Sequence, residues 1–196
     1  MRIILIGPHG TIGSAVHQLL SENHEVVGAS RSGSEFLVDM TSGDSIRAMF
    51  DQAGTFDALV CAAGQARFAP FAELTEKDFT FCLANKLMGQ VNLVRIGREY
   101  IAENGSFTLI SGVLAQQPMP GSAAISLVNA GIEGFVRAAA LEMSRGIRIN
   151  AISPPWVRET LEKLGRDPLK GMPAAHVAKA FQESVEWAAS GKVISP

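Results

Sequence analysis

One tyrosine and two cysteines occur among the 196 residues of the chain, and only 18% of its residues are charged. Cys61 and Cys82 are isolated from each other, so neither a disulfide framework nor a zinc site is predicted. The four histidines form no i, i+4 pair and have no neighbouring cluster of cysteine or aspartate, which argues against a metal. We therefore expect both cysteines to be free thiols, the protein to reside in a reducing cytoplasm, and no metal to be bound.

Long runs of one charge and long apolar runs are also lacking. The 17 basic and 19 acidic residues are interspersed and leave a net charge of −2, so the chain has no electrostatic footprint for nucleic acid or anionic lipid. The opening strand reaches a glycine turn too early for a signal peptide or a membrane span. We expect no nucleic acid and no membrane as partner, and a cytoplasmic protein.

Short β-branched segments alternate with longer amphipathic segments along the whole chain. The predicted strands are RIILIG, HEVVGA, EFLVD, FDALVCA, SFTLIS, IRINAIS and GKVIS, and the predicted helices cover residues 11–20, 43–53, 75–103, 121–144 and 174–188. Thr75 and Asp78 have the spacing of a capping box at the third helix. This order predicts an α/β protein with a Rossmann-type, doubly wound parallel sheet of about seven strands, in a single domain over 1–196.

The connection between the second and third predicted strands is unusually short. Only RSGS separates them, although a parallel crossover normally needs a dozen residues or more. Either the crossover helix has been deleted, or one of the two strands is wrongly assigned. The segment VDMT that follows makes sense as a strand end and favours the deletion. The segment 166–173 is the notable loop, and we expect it near a pocket.

Three glycines follow the first strand and open the first helix. Gly7, Gly10 and Gly13 permit a tight turn and a close approach of the backbone to a ligand. The free N–H groups of a helix N-terminus then face a pyrophosphate. The spacing alone is a weak signal, but its place between the first strand and the first helix indicates nucleotide binding.

The end of the second strand indicates which dinucleotide binds. An acidic residue here would accept hydrogen bonds from the ribose of NAD, but the sequence reads GASRSG. Arg31, flanked by Ser30 and Ser32, instead suits a 2′-phosphate, and His9 in the glycine turn adds a possible donor. We therefore expect NADP(H) rather than NAD(H). The alternatives are that Arg31 is a solvated loop arginine and that His9 merely fills the turn.

With these features the chain resembles the short-chain dehydrogenase/reductase family over residues 1–196. GPHGTIG looks like the family's glycine motif, VDMT like its Asp-x-Thr adenine contact, and CAAG (61–64) like its Asn-Asn-Ala-Gly segment without the asparagines. RGIRINAISPPWVRET resembles the run that ends the sixth strand, with Pro155 in place of a glycine. The expected cofactor contacts are Gly7, His9, Gly10, Thr11, Ile12, Gly13, Ser30, Arg31, Ser32, Asp39, Met40, Ala62, Ala63, Gly64, Pro154 and Val157.

The chain departs from the family at the residues that carry the reaction. The usual mechanism needs a tyrosine that exchanges the proton and a lysine, four residues later, that lowers the tyrosine pKa. Alignment places Ile125 and Asn129 at these two positions, and Tyr100 cannot replace the tyrosine because it lies earlier in the chain. The position of the carbonyl-polarising serine falls on Gly112, so Ser111 takes this role only if a loop differs by one residue.

The asparagine of the family's proton relay is also replaced. The Asn-x-x-Gly pattern puts Lys86 at the asparagine, with Asn85 beside it. An asparagine thus stands where the lysine is expected and a lysine where the asparagine is expected. Because the two sites face one cleft in the family, the exchange would conserve a positive charge near the nicotinamide ribose. The alternative is that Lys86 is an ordinary solvated helix residue.

Three functions remain open from the sequence. The first is an NADP(H)-dependent oxidoreductase in which Ser111, Lys86, Asn129 or water forms a non-standard site for a small carbonyl or alcohol. The second is an inactive NADP(H)-binding sensor or interaction protein, and the third is a reductase whose substrate needs no tyrosyl proton. The resemblance also implies a homodimer or homotetramer. We further expect an open substrate pocket, lined by Met119, Pro120, Trp156 and Leu161.

Overall fold

The computed structural model describes residues 1–196. Its strands are β1 (Arg2–Ile6), β2 (Glu25–Ser30), β3 (Phe36–Leu37), β4 (Phe56–Cys61), β5 (Ile101–Ile110), β6 (Arg148–Ile152) and β7 (Val193–Ile194). They form one sheet in the order β3-β2-β1-β4-β5-β6-β7, and every neighbouring pair is parallel. This architecture confirms the predicted Rossmann-type doubly wound sheet of seven strands.

Helices cover both faces of the sheet. They are α1 (Thr11–Leu20), α2 (Gly43–Ala53), α3 (Glu76–Cys82), α4 (Gly89–Gly97), α5 (Ala123–Ala139), α6 (Arg158–Lys163) and α7 (Ala174–Glu186). One apolar core lies between the sheet and α2, α4 and α5, and a second lies between the sheet and α1 and α7. Covering on both faces explains why the central strands read as continuous apolar runs. None of the helices has both the length and the apolar character that a membrane crossing requires.

The short link after β2 is genuine. Residues 31–35 connect β2 to a parallel β3, in which Phe36 pairs with Ala29 and Leu37 with Ser30. Only the last two residues of β2 pair with β3, so the link runs back along β2 over the length of two residues and not over the whole strand. A link without a helix is sufficient for this distance, so the deletion that the sequence favoured is the correct interpretation.

The segment predicted as one helix over 75–103 consists of α3, a π-helical segment over Leu83–Met88, and α4. The capping box is present: the Thr75 hydroxyl accepts the Asp78 N–H at 3.3 Å, and the Asp78 carboxylate accepts the Thr75 N–H at 3.0 Å. A π-helical turn holds one more residue than an α-helical turn, and such segments occur often at functional sites. The apolar pattern does not reveal the change, because the same face stays buried on both sides of it.

Several predicted boundaries need correction. The third helix ends at Gly97, the predicted helix 121–144 covers Ala123–Ala139, and the predicted helix 174–188 ends at Glu186. Tyr100 therefore lies in a turn after α4, and β5 begins next to it at Ile101, earlier than predicted. The pairing of β5 with β4 is irregular at the start of β5, with a register shift between Phe56 and Ala58. The short helix α6 was not predicted at all.

Candidate cofactor and active site

A cleft lies over the carboxyl ends of the strands, where the order of the sheet reverses between β1 and β4. It consists of two adjoining cavities of about 350 Å³ each, and Ala62, Ala63 and Gly64, directly after β4, line both. We call the cavity beside β2 the β2 half and the cavity beside β6 the β6 half. Doubly wound sheets bind dinucleotides across this crevice.

The cleft collects the predicted site residues, with one exception. The β2 half is lined by Gly7, His9, Gly10, Ser30, Arg31, Ser32, Asp39 and Met40. The β6 half is lined by Thr11, Ile12, Lys86, Ser111, Asn129, Pro154 and Val157. Gly13 is the exception, because it is buried beneath the glycine turn at the start of α1. The prediction of one shared cleft thus agrees with the structure, whereas the role of each residue remains a prediction.

The glycine turn brings the N-terminus of α1 against the end of β1. Gly7 has a φ of +83°, in the left-handed region, and a Cβ on it would lie 2.8 Å from the Cβ of Ala63. A Cβ on Gly13 would lie only 1.9 Å from the Gly7 carbonyl oxygen. Gly7 is required by its left-handed backbone and by the nearby Ala63 side chain, and Gly13 is required because the helix backbone touches the backbone of the turn there. The turn therefore provides a surface of free N–H groups on which a phosphate can rest.

We expect the substitution Gly13→Ala to separate α1 from the glycine turn, because its methyl group has no space. Overpacking of this kind costs about 1–3 kcal/mol of the free energy of unfolding. Gly134→Ala is the matched control: Gly134 lies on the exposed face of α5 and a Cβ there meets nothing within 4 Å. It gains helix propensity and stabilises the fold by about 0.5–1 kcal/mol. Urea unfolding compares the two, and equal stabilities would contradict the packing described here.

The end of β2 presents a cation next to a hydroxyl network. Ser30 Oγ donates to Ser32 O at 2.6 Å and lies 2.7 Å from Ser34 Oγ. His9 Nε2 lies 2.9 Å from Gly33 O and 3.0 Å from Ser34 Oγ. His9 therefore ties the β2–β3 link to the glycine turn, and its Nε2 is already used. Arg31 makes no ion pair and lines the β2 half.

Asp39 follows β3 at the outer wall of the β2 half. Its Oδ1 accepts the N–H of Thr41 at 2.9 Å and the Thr41 hydroxyl at 2.8 Å. These two bonds, and to a smaller extent the charge of Arg31, hold the pKa of Asp39 below its ordinary value. The carboxylate is thus ionised and fixed by its own turn, whereas its contact with an adenine remains a prediction.

The β6 half contains the positions at which the chain departs from the family. Ile125 lines the wall where a tyrosine is expected and brings no proton. Asn129 Nδ2 donates to the Gly112 carbonyl at 3.3 Å, and a Cβ on Gly112 would lie 3.0 Å from that nitrogen. Asn129 Oδ1 is buried and has no hydrogen-bond partner. An orphaned acceptor in this place fits a hydroxyl group of a bound ribose.

Lys86 is the buried cation of the β6 half. The residue is 8% exposed, and its Nζ donates to the Ser111 carbonyl at 3.2 Å. An ammonium has three N–H donors, so two remain for the cleft. Burial lowers the pKa of Lys86 to about 8, and burial also raises the pKa of the neighbouring Cys61 thiol to about 12. Lys86 thus has no anionic partner, and the alternative of a solvated helix lysine is excluded.

The π-helical segment and Gln90 fix Lys86 in this position. Gln90 is fully buried; its Oε1 accepts the Ile110 N–H at 2.8 Å and its Nε2 donates to the Ile110 carbonyl at 2.9 Å. The same Nε2 lies 3.2 Å from the Lys86 carbonyl. The backbone and the side chain of Lys86 are therefore both held by the end of β5. Sequence reasoning missed Gln90, which looks like any polar helix residue.

Ser111 directs its hydroxyl away from a substrate. Its Oγ donates to Glu133 Oε1 at 2.8 Å, and Ser153 Oγ donates to the same oxygen at 3.1 Å. Glu133 Oε2 accepts from Gln116 at 3.1 Å and from Arg137 at 3.3 Å. Glu133 is only 3% exposed, so this network joins β5, β6 and α5 beneath the cleft. The geometry disfavours Ser111 as the group that polarises a carbonyl; its own carbonyl instead holds Lys86.

The predicted lining of the substrate pocket needs correction. Trp156 lines the β6 half together with Pro155, Val113, Leu114 and Thr160. Met119 and Pro120 are exposed outside it, and Leu161 is buried at the inner side of α6. Helix α6, which sequence reasoning missed, turns Leu161 inward and leaves Trp156 at the rim.

The parallel sheet and the cleft at the reversal of its strand order are typical of doubly wound proteins that bind a dinucleotide. Residues 12–192 match the family model described as enoyl-(acyl carrier protein) reductase. The chain belongs to the short-chain dehydrogenase/reductase family, whose members bind a nicotinamide cofactor and act as oxidoreductases. Among curated proteins it is similar to the 3-oxoacyl-(acyl-carrier-protein) reductase FabG of Chlamydia trachomatis, with 29% identity over 87% of this chain.

Solved structures give the same assignment. The protein lin1944 from Listeria innocua is 41% identical, with a TM-score of 0.96 over 100% of this chain and 98% of that protein. A small-chain dehydrogenase in complex with NADPH is 25% identical, with a TM-score of 0.87 over 100% of this chain and 96% of the other. The chain spans 72% of the chlamydial reductase and 54% of the oxidoreductase UcpA of Escherichia coli.

Proposed function

We propose that the chain is an NADP(H)-dependent oxidoreductase for a small carbonyl or alcohol substrate, with Lys86 as the group that gives or takes the proton. The observation that carries the proposal is the continuous cleft, which has the Arg31 guanidinium at one end and the buried Lys86 ammonium at the other. A nicotinamide bound there supplies or accepts the hydride. A concave site of this size fits a small molecule, rather than a nucleic acid or a membrane, as the partner.

Each end of the cleft has a distinct task. Arg31 and the Ser32 hydroxyl would hold the 2′-phosphate, the glycine turn would hold the pyrophosphate, and Asn129 Oδ1 would accept a ribose hydroxyl. In the direction of reduction, the Lys86 ammonium gives one proton to the carbonyl oxygen of the substrate. The resulting amine regains a proton from water. Ser111 O orients the ammonium throughout, at 3.2 Å.

Fluorescence titration with NADPH and with NADH tests the first half of the proposal, and stopped-flow NADPH oxidation with a panel of carbonyls and quinones tests the second. Binding of NADPH followed by its oxidation is the expected result. Binding without oxidation of NADPH by any compound would replace the enzyme with a sensor, the function that Ile125 and Asn129 would suit. Failure to bind either nucleotide would overturn the whole proposal.

For the cofactor preference, we expect Arg31→Glu to weaken NADPH binding by about tenfold to hundredfold, because a charge-assisted bond to the 2′-phosphate becomes a repulsion. NADH affinity does not fall with it, since NADH lacks that phosphate. The same titrations measure both dissociation constants. Arg95→Glu, which changes the charge equally on the exposed side of α4, serves as the control. A parallel loss of both affinities would show that Arg31 supports the loop and not the phosphate.

The quaternary state and the location belong to the same proposal. Met88 and Leu127 are 44% and 49% exposed, next to α4 and on α5, and this supports association of two or four copies through these helices. Cys61 and Cys82 are both buried and unpaired, which supports a cytoplasmic location.

A further inference from the structure

An arginine lies across two aromatic rings at the rim of the β6 half. The Arg166 guanidinium carbon is 5.6 Å from the centre of the Trp156 ring and 5.7 Å from the centre of the Phe68 ring. The two rings meet edge to face, with their centres 6.2 Å apart. We call Phe68, Trp156 and Arg166 the aromatic–arginine cluster. Trp156 belongs at the same time to the wall of the β6 half, so the cluster borders the place where a substrate would lie.

The backbone determines where Arg166 points. Helix α6 ends in a left-handed glycine, Gly165 with a φ of +64°, and the N–H of Arg166 then bonds back to the Leu161 carbonyl at 2.9 Å. This is the Schellman arrangement, which reverses the chain direction after the last helical turn. The reversal returns the Arg166 side chain toward Trp156, which precedes α6. The guanidinium is therefore directed by the end of the helix as well as by the rings.

The segment 156–172, which carries Trp156 and Arg166, is closed at its base. Met172 N–H bonds to the Trp156 carbonyl and Arg158 N–H bonds to the Met172 carbonyl, both at 2.8 Å. A Cβ on Gly171 would lie 2.5 Å from the Arg158 nitrogen, so the two strands of this base touch. At the other side, Lys163 Nζ donates to the Thr11 hydroxyl at 2.8 Å. Residues 156–172 thus form a fixed rim between the glycine turn and the substrate end of the cleft.

The donors of Arg166, an exposed residue, have no partner within the chain. Its guanidinium makes no ion pair and no hydrogen bond, although Asp167 is its neighbour in the chain. The Asp167 carboxylate instead accepts the Leu169 N–H at 3.0 Å. Arg67 shows the contrast, because it stacks on Phe81 and is also paired with Asp78 at 3.4 Å. Stacking without a carboxylate partner leaves the flat edge of Arg166 free for a planar anion.

We propose that the aromatic–arginine cluster binds a carboxylate group of the substrate, so that the substrate class is a carbonyl compound that also carries a carboxylate. This inference rests on the proposed function, since it names the substrate of the same cleft. Two parallel N–H donors of Arg166 would hold both carboxylate oxygens. The face of Trp156 beside them would cover the apolar part of the same molecule. The carbonyl then reaches toward Lys86, deeper in the β6 half.

A matched pair of aldehydes tests this inference by kinetics. The probes are 4-formylbenzoate and its methyl ester, which differ in the charge of one group. In the wild type we expect kcat/KM for NADPH oxidation to favour the acid by about tenfold or more, the size of a charge-assisted hydrogen bond. Arg166→Gln removes this preference, Arg166→Lys retains part of it, and Arg95→Gln leaves it unchanged. A loss of activity that is equal for acid and ester in Arg166→Gln would overturn the proposal.

A binding experiment separates this proposal from the proposed function. Isothermal titration of 4-formylbenzoate and of the ester, with and without NADP⁺, requires no turnover. Tighter binding of the acid than of the ester to the wild type, lost in Arg166→Gln, supports the role of the cluster. This holds even if NADPH is never oxidised, because the absence of oxidation contradicts only the proposed enzyme activity. Oxidation of NADPH together with equal binding of acid and ester supports the enzyme and overturns the cluster. No binding of the acid under either condition also overturns it.

Discussion

Substitution of Lys86 by methionine is expected to lower the single-turnover rate of substrate reduction by about 10²- to 10⁴-fold, the usual contribution of a general acid. Neither Ile125 nor Ser111 replaces it, because Ile125 has no proton to give and the Ser111 hydroxyl donates to Glu133. Methionine fits the space, since it is unbranched and of similar length. The fold and the glycine turn therefore survive the change, and stopped-flow measurement with saturating NADPH isolates the step.

The matched control is Lys77→Met, on the exposed side of α3, which leaves the rate unchanged. An NADPH affinity that also falls in Lys86→Met would show that Lys86 serves the ribose as well, as the exchange between residues 86 and 129 predicts. An unaltered NADPH affinity would exclude the hypothesis that Lys86 replaces the charge missing at residue 129, but it would not exclude proton transfer by Lys86. An unaltered rate would refute the role of Lys86 as proton donor.

The pH dependence supplies a second readout of the same group. Burial lowers the pKa of Lys86 to about 8, so the ammonium is lost as the pH rises through that value. Reduction needs the ammonium and slows above pH 8 or so, whereas oxidation of an alcohol needs the free amine and accelerates over the same range. In Lys86→Met both profiles become flat there. Stopped-flow rates of the chemical step, which exclude product release, give the cleanest comparison of the wild type with Lys86→Met.

Removal of the Glu133 carboxylate is expected to have the largest effect on stability. Glu133→Ala leaves the Ser153 hydroxyl without its acceptor in a buried site, and leaves the Ser111 hydroxyl only the longer bond to the Asn129 carbonyl, at 3.3 Å. A buried donor without a partner costs about 1–3 kcal/mol, and we expect a loss of about 3 kcal/mol in the free energy of unfolding. Because the network joins β5, β6 and α5, the loss appears in a single cooperative transition.

Urea denaturation followed by circular dichroism measures this loss. Glu133→Gln keeps one acceptor oxygen and is expected to lie between Glu133→Ala and the wild type. Glu142→Ala removes an exposed carboxylate after α5 and changes the stability by no more than about 0.5 kcal/mol. If Glu133→Ala were as stable as Glu142→Ala, the network would not be a structural element of the cleft.

Much of the fold was predictable from the sequence, because it follows from local signals. The apolar strands alternate with helices, the glycine turn directly follows β1, and Arg31 stands where β2 ends; each of these requires only short-range order. Even the deleted crossover was predictable, since RSGS is too short to hold a helix. The residues of the cleft followed from the rule that ligands bind at the carboxyl ends of parallel strands.

The details of the active site were less predictable, because they depend on contacts between distant segments. Glu133 reads as one exposed acid in a helix, and only the pairing of β5 with β6 reveals that two serines converge on it. The burial of Lys86 depends on the π-helical turn, which leaves no mark in the apolar period. Arg166 stacks on Trp156 only because α6 exists, and six helical residues are too few for a periodic signal.

The very short edge strands have a further consequence, for how copies of the chain can meet. β3 and β7 each pair through two residues, so neither edge of the sheet offers a long row of free backbone N–H and C=O groups. Edges of this kind are poor templates for the addition of strands from another molecule. Continuous sheets that run from one copy to the next are therefore disfavoured, and so is the aggregation that begins in that way.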